Sequence, residues 1–248
     1  MVKNFWKIVR KVFREADLLL FILDARRVEE TTNEEILNKF SFYNKPYIYV
    51  INKVDLITKK EQDILEKRYP DAVFISAKEH IGTMRLMQKL NKIANNKDIL
   101  VGVVGYPNTG KSSVINALVN KQSAKVSSGA GQTRAVQAIR ISKNVKLLDC
   151  PGVLSYMEKD EIFQSIIGAK DPKYLKDPEL AAFELIEKEN GVIEKYYGVE
   201  KTEDYELTLE RIALKMRKLK KGGLPNTFEA AITIIRDWQK GKIKSTIS

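Results

Sequence analysis

Residues 105–112 have the types and spacing that bind the phosphates of a nucleotide. They read Gly-Tyr-Pro-Asn-Thr-Gly-Lys-Ser and match the pattern G-x-x-x-x-G-K-[ST]. The glycines permit a tight turn whose backbone N–H groups point inward at the phosphates. We expect Lys111 to reach the β- and γ-phosphates and the Ser112 hydroxyl to bind Mg²⁺. The pattern alone does not distinguish ATP from GTP. The predicted nucleotide contacts in this segment are Pro107, Asn108, Thr109, Gly110, Lys111, Ser112 and Ser113.

Two further segments favour guanine over adenine. Asn52-Lys53-Val54-Asp55 supplies a carboxylate, Asp55, that can accept from guanine N1–H and from the N2 amine, whereas adenine would leave it desolvated and unpaired. Asn52 would brace this loop, and the aliphatic stem of Lys53 would cover the base plane. Ser76-Ala77-Lys78 fits a second base-binding loop, in which the alanine N–H would bind the base oxygen O6. Each pattern is common by itself, but the two together beside a phosphate loop are not.

A third segment could sense the γ-phosphate. Asp149-Cys150-Pro151-Gly152 fits the pattern D-x-x-G. We expect Asp149 to hold Mg²⁺ through water and the Gly152 N–H to contact the γ-phosphate. Thr133, in a stretch rich in glycine and serine, is the candidate switch threonine that binds Mg²⁺; an ordinary polar loop residue is the alternative. The residues predicted to take part in hydrolysis are Lys111, Thr133, Gly152 and Asn108.

The elements around these segments follow an alternating pattern. Six apolar runs predict strands at Leu18–Leu23, Tyr47–Ile51, Ala72–Ile75, Leu100–Val104, Val136–Ile141 and Val145–Leu148. Helical patterns cover Glu30–Phe40, Lys59–Arg68, Thr83–Ala94 and Ser112–Val119. The alternation predicts an α/β fold with a six-stranded, mostly parallel sheet, whose last two strands form an antiparallel hairpin. Loops at the carboxyl ends of parallel strands would bring the motifs together.

The strand pattern ends after residue 152, and helical patterns follow. Asp177 and Pro178 predict the N-cap and first residue of a helix. Asn226 with Glu229 is similar to a capping box before another helix. We therefore predict a nucleotide-binding domain over residues 1–153 and a small all-α domain over residues 154–248.

Charge is unevenly distributed along the chain, whose formal net charge is +11. Residues 211–248 contain 10 Lys or Arg against 2 Asp or Glu, whereas residues 153–210 contain 7 against 15. A basic region of this size is typical of a polyphosphate partner, although a solvated lysine-rich surface explains it equally well. The candidates for RNA phosphate contacts are Arg217, Lys218, Lys220 and Lys221.

Several classes of protein are disfavoured. No apolar run reaches the length of a membrane span, and the N-terminus lacks the pattern of a secretory signal. The single cysteine, Cys150, excludes an internal disulfide and a cysteine-based zinc site. These absences predict a cytoplasmic protein, which we expect to be a monomer.

Two apolar features leave alternatives open. A basic N-terminal helix is expected to pack on its domain, with membrane or rRNA contact as the alternative. Its apolar stripe comprises Phe5, Ile8, Val9, Val12 and Phe13. Phe228 and Trp238 either pack in a core or stack on RNA bases, and core packing is the favoured interpretation.

The order of the motifs is itself informative. Ordinary GTPases place the phosphate loop first and the guanine loops last, whereas here the guanine loops come first, and a polar joint at residues 95–98 would connect the old termini. The chain resembles the circularly permuted GTPases of the YlqF/YawG (RbgA-like) type. Asp24-Ala25-Arg26 resembles their D-A-R element, although Val28 stands where a proline is usual, and Gly222 through Ile243 resembles their C-terminal signature.

The resemblance implies a P-loop GTPase fold and a switch in large ribosomal subunit assembly, with an all-α, RNA-contacting C-terminal domain. Val153 follows the D-x-x-G segment where many GTPases have a glutamine that orients water, so another group or a partner must assist hydrolysis. Asn108 resembles a K⁺ ligand of related loops; a simple turn residue is the alternative. His80, the one histidine, is expected at the surface.

Two other functions remain open at this stage. The chain could be an RNA- or protein-binding module that binds GTP and barely hydrolyses it, and Val153 is consistent with that. It could also be a P-loop ATPase or kinase, which the guanine-type segments disfavour.

Overall fold

The structure is a computed structural model that describes residues 10–32, 34–123, 138–149, 160–168 and 170–244. The chain divides into two compact units, Met1–Ser155 and Tyr156–Ser248. Each unit is a separate body with its own core. The boundary predicted at residues 153 and 154 lies outside the described residues and stays a prediction.

The first unit is built on a six-stranded sheet. Its strands are β1 (Leu18–Asp24), β2 (Tyr47–Asn52), β3 (Val73–Phe74), β4 (Ile99–Val104), β5 (Ala138–Arg140) and β6 (Val145–Asp149). The spatial order is β3-β2-β1-β4-β6-β5, and every pairing is parallel except that of β5 with β6. The predicted mixed α/β fold, with its antiparallel hairpin at the end, is confirmed. Residues 136 and 137 of the predicted fifth strand lie outside the described residues.

The central strand β1 shows why the sequence forms a parallel sheet. All seven of its residues are buried, as expected of a strand covered on both faces by helices. It pairs with β2 on one side and β4 on the other, so that Asp24 lies opposite Asn52 and Phe21 lies opposite Val104. The carboxyl ends of the three strands therefore meet at one edge of the sheet.

Helices surround this sheet. Residues 10–15 are helical and form α1 in the described part, followed by α2 (Val28–Thr31), α3 (Glu34–Phe42), α4 (Lys59–Arg68), α5 (Thr83–Ala94) and α6 (Lys111–Ser123). The bounds of α4 and α5 are those predicted. Val12 and Phe13 of α1 are fully buried, consistent with packing on the domain. Phe5, Ile8 and Val9 lie outside the described residues.

The helix predicted over Glu30–Phe40 is wrong in one respect, since two helices occupy this stretch. α2 ends at Thr31, and the next residue, Thr32, has an extended backbone with ψ 104°. The Thr31 hydroxyl donates to the Arg27 carbonyl at 2.7 Å, and the Thr32 hydroxyl donates to the Val28 carbonyl at 2.7 Å. Threonine hydroxyls that bond backbone carbonyls in this way compete with continuation of the helix. The sequence periodicity does not register that competition.

The described residues of the second unit form helices and one isolated bridge, between Leu219 and Pro225. Its helices are α7 (Glu161–Ile166), α8 (Pro178–Glu189), α9 (Val192–Tyr197), α10 (Tyr205–Lys215) and α11 (Thr227–Gln239). Asp177 caps α8 by accepting from the Leu180 N–H at 2.9 Å, and Asn226 caps α11 by accepting from the Glu229 N–H at 3.2 Å. Side-chain caps of this kind satisfy donors that the first turn leaves unpaired.

Trp238 lies at the centre of the second unit's core. Its side chain is fully buried, and its indole N–H donates to the Ile166 carbonyl at 3.0 Å. Phe228, by contrast, is 41% exposed. The core interpretation therefore holds for Trp238, while Phe228 remains accessible. Among the described residues, no helix is both long and apolar enough to cross a membrane.

Candidate nucleotide-binding site

The predicted loops meet at the carboxyl edge of the sheet. The phosphate loop follows β4, the Asn52–Asp55 segment follows β2, and the Ser76–Lys78 segment follows β3. β6 lies beside β4, with Val103 opposite Asp149, so the start of the D-x-x-G segment reaches the same edge. The parallel register brings four segments, distant in the chain, to one place.

Close backbone approach accounts for both glycines of the phosphate loop. A Cβ on Gly105 would lie 2.4 Å from the Ile22 carbonyl oxygen, inside the contact distance of any real side chain. Gly110 has φ +96°, and a Cβ there would lie 2.2 Å from Asn52 Nδ2. The loop is therefore pressed against β1 on one side and against the Asn52 side chain on the other, which only glycine permits.

Lys111 lies in the phosphate loop with its ammonium held inside. Its side chain is buried, and Nζ donates to the Tyr106 carbonyl at 2.7 Å. The Thr109 hydroxyl donates to the same carbonyl at 2.9 Å. These two bonds curl the loop around the lysine, so a positive charge sits among its backbone N–H groups. That arrangement suits an anion with several oxygens.

Asn52 joins three of the predicted segments through its side-chain amide. Nδ2 donates to the Thr109 carbonyl of the phosphate loop at 2.9 Å, and Oδ1 accepts from the Ala77 N–H of the second base loop at 3.0 Å. The residue is 2% exposed. Because both ends of the amide are used in a buried place, the relative position of the loops depends on this one side chain.

Asp55 lies in a single 3₁₀ turn, Val54–Leu56, directly after Lys53. It is half-buried, and the described part of the chain offers its carboxylate no hydrogen-bond donor. The Val54 N–H donates to the Ile75 carbonyl at 3.2 Å, which ties this turn to the end of β3. A half-buried carboxylate on a backbone turn tied in this way can accept from the paired N–H groups of guanine.

The second base loop is a tight turn. Ser76 and Ile81 form an antiparallel bridge, and the Ser76 hydroxyl accepts from the Glu79 N–H at 3.1 Å. The single proton of the Ala77 N–H is donated to Asn52 Oδ1. Binding base O6 there would require a shared bond. The neighbouring Lys78 N–H has no acceptor within the described residues, and its side chain is 80% exposed. The role of Ala77 stays a prediction.

A buried charge cluster that sequence reasoning left without a role borders the base loop. The Asp24 carboxylate accepts from Arg26 Nη2 at 2.8 Å and from Lys53 Nζ at 2.7 Å. Burial alone would raise the pKa of Asp24, but the charges of Arg26 and Lys53 outweigh it and hold that pKa well below its usual range. Burial lowers the pKa of Lys53, and the Asp24 charge opposes that shift. The sequence signal for this cluster is an acidic residue at the end of β1, the strand that neighbours the strand of the N-K-x-D segment.

The structure describes only some of the groups that were predicted to bind magnesium or to contact the γ-phosphate. Ser112, at the start of α6, is exposed and can offer its hydroxyl. Thr133 and Gly152 lie outside the described residues, and so does the side chain of Asp149, whose backbone ends β6. No cluster of His, Cys, Asp or Glu forms a metal site among the described residues. A Mg²⁺ ion that is held mainly by nucleotide phosphates does not need such a cluster of protein ligands. The Ser112 hydroxyl is therefore compatible with a Mg²⁺ site.

Asn108 adopts a left-handed conformation, with φ +60°, and is exposed at the tip of the loop. This backbone position suits asparagine as a turn residue. Its predicted role as a K⁺ ligand stays a prediction. His80 is also left-handed, with φ +57°, and is exposed as expected.

Known proteins resemble this chain in sequence. Residues 100–210 match the model of the family described as 50S ribosome-binding GTPase. An uncharacterized GTP-binding protein of Methanocaldococcus jannaschii is 40% identical over 96% of this chain and 65% of its own length. Nuclear/nucleolar GTPase 2 of Arabidopsis thaliana is 31% identical over 97% of this chain and 44% of its length. Nucleolar GTP-binding protein 2 of Yarrowia lipolytica is 33% identical over 97% and 50%. The chain thus spans less than two thirds of each of these relatives.

Solved structures share the fold. The crystal structure of GNP-bound YlqF from T. maritima superposes with a TM-score of 0.70 at 24% identity, covering 96% of this chain and 94% of that one. A GDP-bound structure of the same protein gives a TM-score of 0.70, with 96% of each chain covered. At 96% coverage, the likeness includes residues of both units of this chain.

Proposed function

We propose that this chain is a circularly permuted P-loop GTPase, which binds GTP, hydrolyses it to GDP and phosphate, and acts as a switch in large ribosomal subunit assembly. The observation that carries the nucleotide assignment is the Asn52 amide. It ties the phosphate loop to the second base loop, beside the Asp55 carboxylate. The proposed phosphate and guanine sites would therefore share one edge of the sheet.

The predicted residues at the base, the phosphates and the metal have separate roles in this proposal. Asp55 accepts from the guanine N1–H and N2 groups, and the Lys53 stem and the Ser76–Lys78 loop enclose the base. Lys111 leaves the Tyr106 carbonyl to contact the β- and γ-phosphates. When bound, Mg²⁺ neutralises charge on the phosphate oxygens; Ser112, Thr133 and Asp149 are its proposed ligands. Gly152 contacts the γ-phosphate.

Hydrolysis is expected to be slow without help. Val153 has no group that can orient water, so the chain must obtain one elsewhere. K⁺ held by Asn108 is one proposed source of charge, and a ribosomal particle is another. A GTP-binding module with little turnover is the second candidate function, and Val153 is the observation that favours it.

The ribosomal partner is proposed from the relatives and from a basic turn in the second unit. The matched family is described as ribosome-binding, and two relatives carry nucleolar names. In this chain a turn closed by the Leu219–Pro225 bridge exposes Lys220 and Lys221, and Arg217, just before the turn, is exposed as well. Cations on a projecting turn can contact RNA phosphates without reading base sequence. The monomeric state and cytoplasmic location predicted from the sequence are part of this proposal.

Phosphate release from GTP tests the proposal. It should be measured with and without K⁺, and with and without large ribosomal subunits, alongside competition between GDP and ADP. We expect GDP to win the competition and subunits to stimulate turnover. GDP binding without turnover under any condition would favour the binding module. Equal binding of ADP would refute the guanine assignment.

A further inference from the structure

We propose that Asp24 is a positioning residue for the guanine base, which acts by anchoring the Lys53 side chain. The ammonium of Lys53 is held on the Asp24 carboxylate, so that the aliphatic stem between ammonium and backbone is already in place as a wall of the base pocket. The inference rests on the proposed guanine site and adds a residue from another strand to it.

The Asp24 carboxylate has two cationic partners, whereas one is enough to neutralise its charge. Arg26 already forms a bidentate contact with it: Nε donates to Oδ1 at 3.0 Å, and Nη2 donates to Oδ2 at 2.8 Å. Lys53 Nζ is a second cation on Oδ2, at 2.7 Å. Burying a second cation beside the first is unfavourable by itself, because the Lys53 charge is desolvated and repelled by Arg26. Arg26 by itself already pairs both carboxylate oxygens, so the second contact serves to hold Lys53.

The other end of Lys53 is fixed as well. Its backbone is left-handed, with φ 68° and ψ 33°. The carbonyl of Asn52 before it accepts from the Ala25 N–H at 2.8 Å, and the N–H of Val54 after it donates to the Ile75 carbonyl at 3.2 Å. With the backbone held on both sides and the ammonium held by Asp24, little freedom is left in the stem.

Asp24 is itself held by the loop that follows it. Its backbone N–H donates to the Thr31 hydroxyl at 3.1 Å, and that hydroxyl donates to the Arg27 carbonyl at 2.7 Å. The anchor is therefore part of the β1 end and does not move with Lys53. A stem arranged before the nucleotide arrives loses less entropy on binding.

A double-mutant cycle on the full chain tests the inference. The variants are Asp24→Asn, Lys53→Ala and the double variant, with GDP affinity measured by calorimetry and stability by urea unfolding. Asp17→Asn is the matched control: Asp17 precedes the same strand at its opposite end, and its carboxylate accepts from the Leu100 N–H at 2.8 Å. Like Asp24, it is a hydrogen-bonded aspartate at one end of β1, but it is exposed and lies at the end of the strand away from the base loops.

We expect Asp24→Asn to raise the Kd for GDP about tenfold in the wild-type background and to add less than about twofold once Lys53 is alanine. Asp17→Asn should leave the Kd unchanged whatever it does to stability. An equal increase in both backgrounds would mean that Asp24 acts through general stability and would overturn the inference, as would an unchanged Kd in Asp24→Asn. Failure of the wild-type chain to bind GDP is a different result, and it would refute the proposed function itself.

Discussion

The Asn52 side chain offers the sharpest test of how the site is held together. Replacing Asn52 with alanine removes the donor to the Thr109 carbonyl and the acceptor of the Ala77 N–H, both in a place that is 2% exposed. Each buried partner left unsatisfied costs about 1–3 kcal/mol, so the total is about 2–6 kcal/mol. This cost is divided between the free energy of unfolding and that of nucleotide binding.

If half of that cost falls on binding, the Kd for GDP rises about 5- to 150-fold. Calorimetric titration with GDP measures the binding share, and urea unfolding of the nucleotide-free protein measures the rest. Both measurements are needed because the substitution has two opposing effects on binding. It frees the Ala77 N–H for a contact with the base, and it also loosens the loops. The sum of the two losses is therefore the quantity that the structure predicts.

Asn91→Ala is the matched control for this experiment. Its side chain accepts from the Ser142 hydroxyl at 2.7 Å on the exposed surface of the same unit. We expect no change in GDP affinity and little change in stability, since an exposed partner can bond water instead. If Asn52→Ala is folded, retains its stability and binds GDP within about twofold of the wild type, the bracing argument is wrong.

Three further predictions concern other residues. Asp55→Ala should raise the Kd for GDP about 100-fold or more and abolish the preference over ADP, measured by competition, because two hydrogen bonds to a charged group are lost; retained preference would contradict it. Asp24 has a pKa far below its ordinary value of 3.8, so its stabilisation is complete above that value and is lost as pH falls towards the folded pKa. Acid unfolding curves should accordingly fall less steeply below about pH 4 in Asp24→Asn than in the wild type. Alanine at Lys220 and Lys221 should weaken rRNA binding and reduce the dependence of log K on log salt by about 1–2, in a filter-binding salt series; an unchanged slope would mean that the turn contacts no phosphate.

Much of the architecture was determined by local sequence. Strands such as β1 are continuous apolar runs, and a helix such as α4 begins at a threonine cap three residues before Glu61 and ends within its predicted bounds. These features depend on neighbours in the chain, so their patterns can be recognised without knowing the fold. The permutation was also predicted from the sequence, because the order of the motifs along the chain can be seen without knowing the fold.

Only the tertiary structure decides which side chains form hydrogen bonds and ion pairs with each other. The sequence predicts that Asn52 braces a loop, but only the register of β2 against β1, and the approach of the phosphate loop, decide that its two partners are Thr109 and Ala77. The pairing of Asp24 with Lys53 likewise joins two strand ends that are far apart in the chain. Hydrogen bonds and ion pairs between distant segments depend on side-chain position to within an ångström, and no local periodicity carries that information.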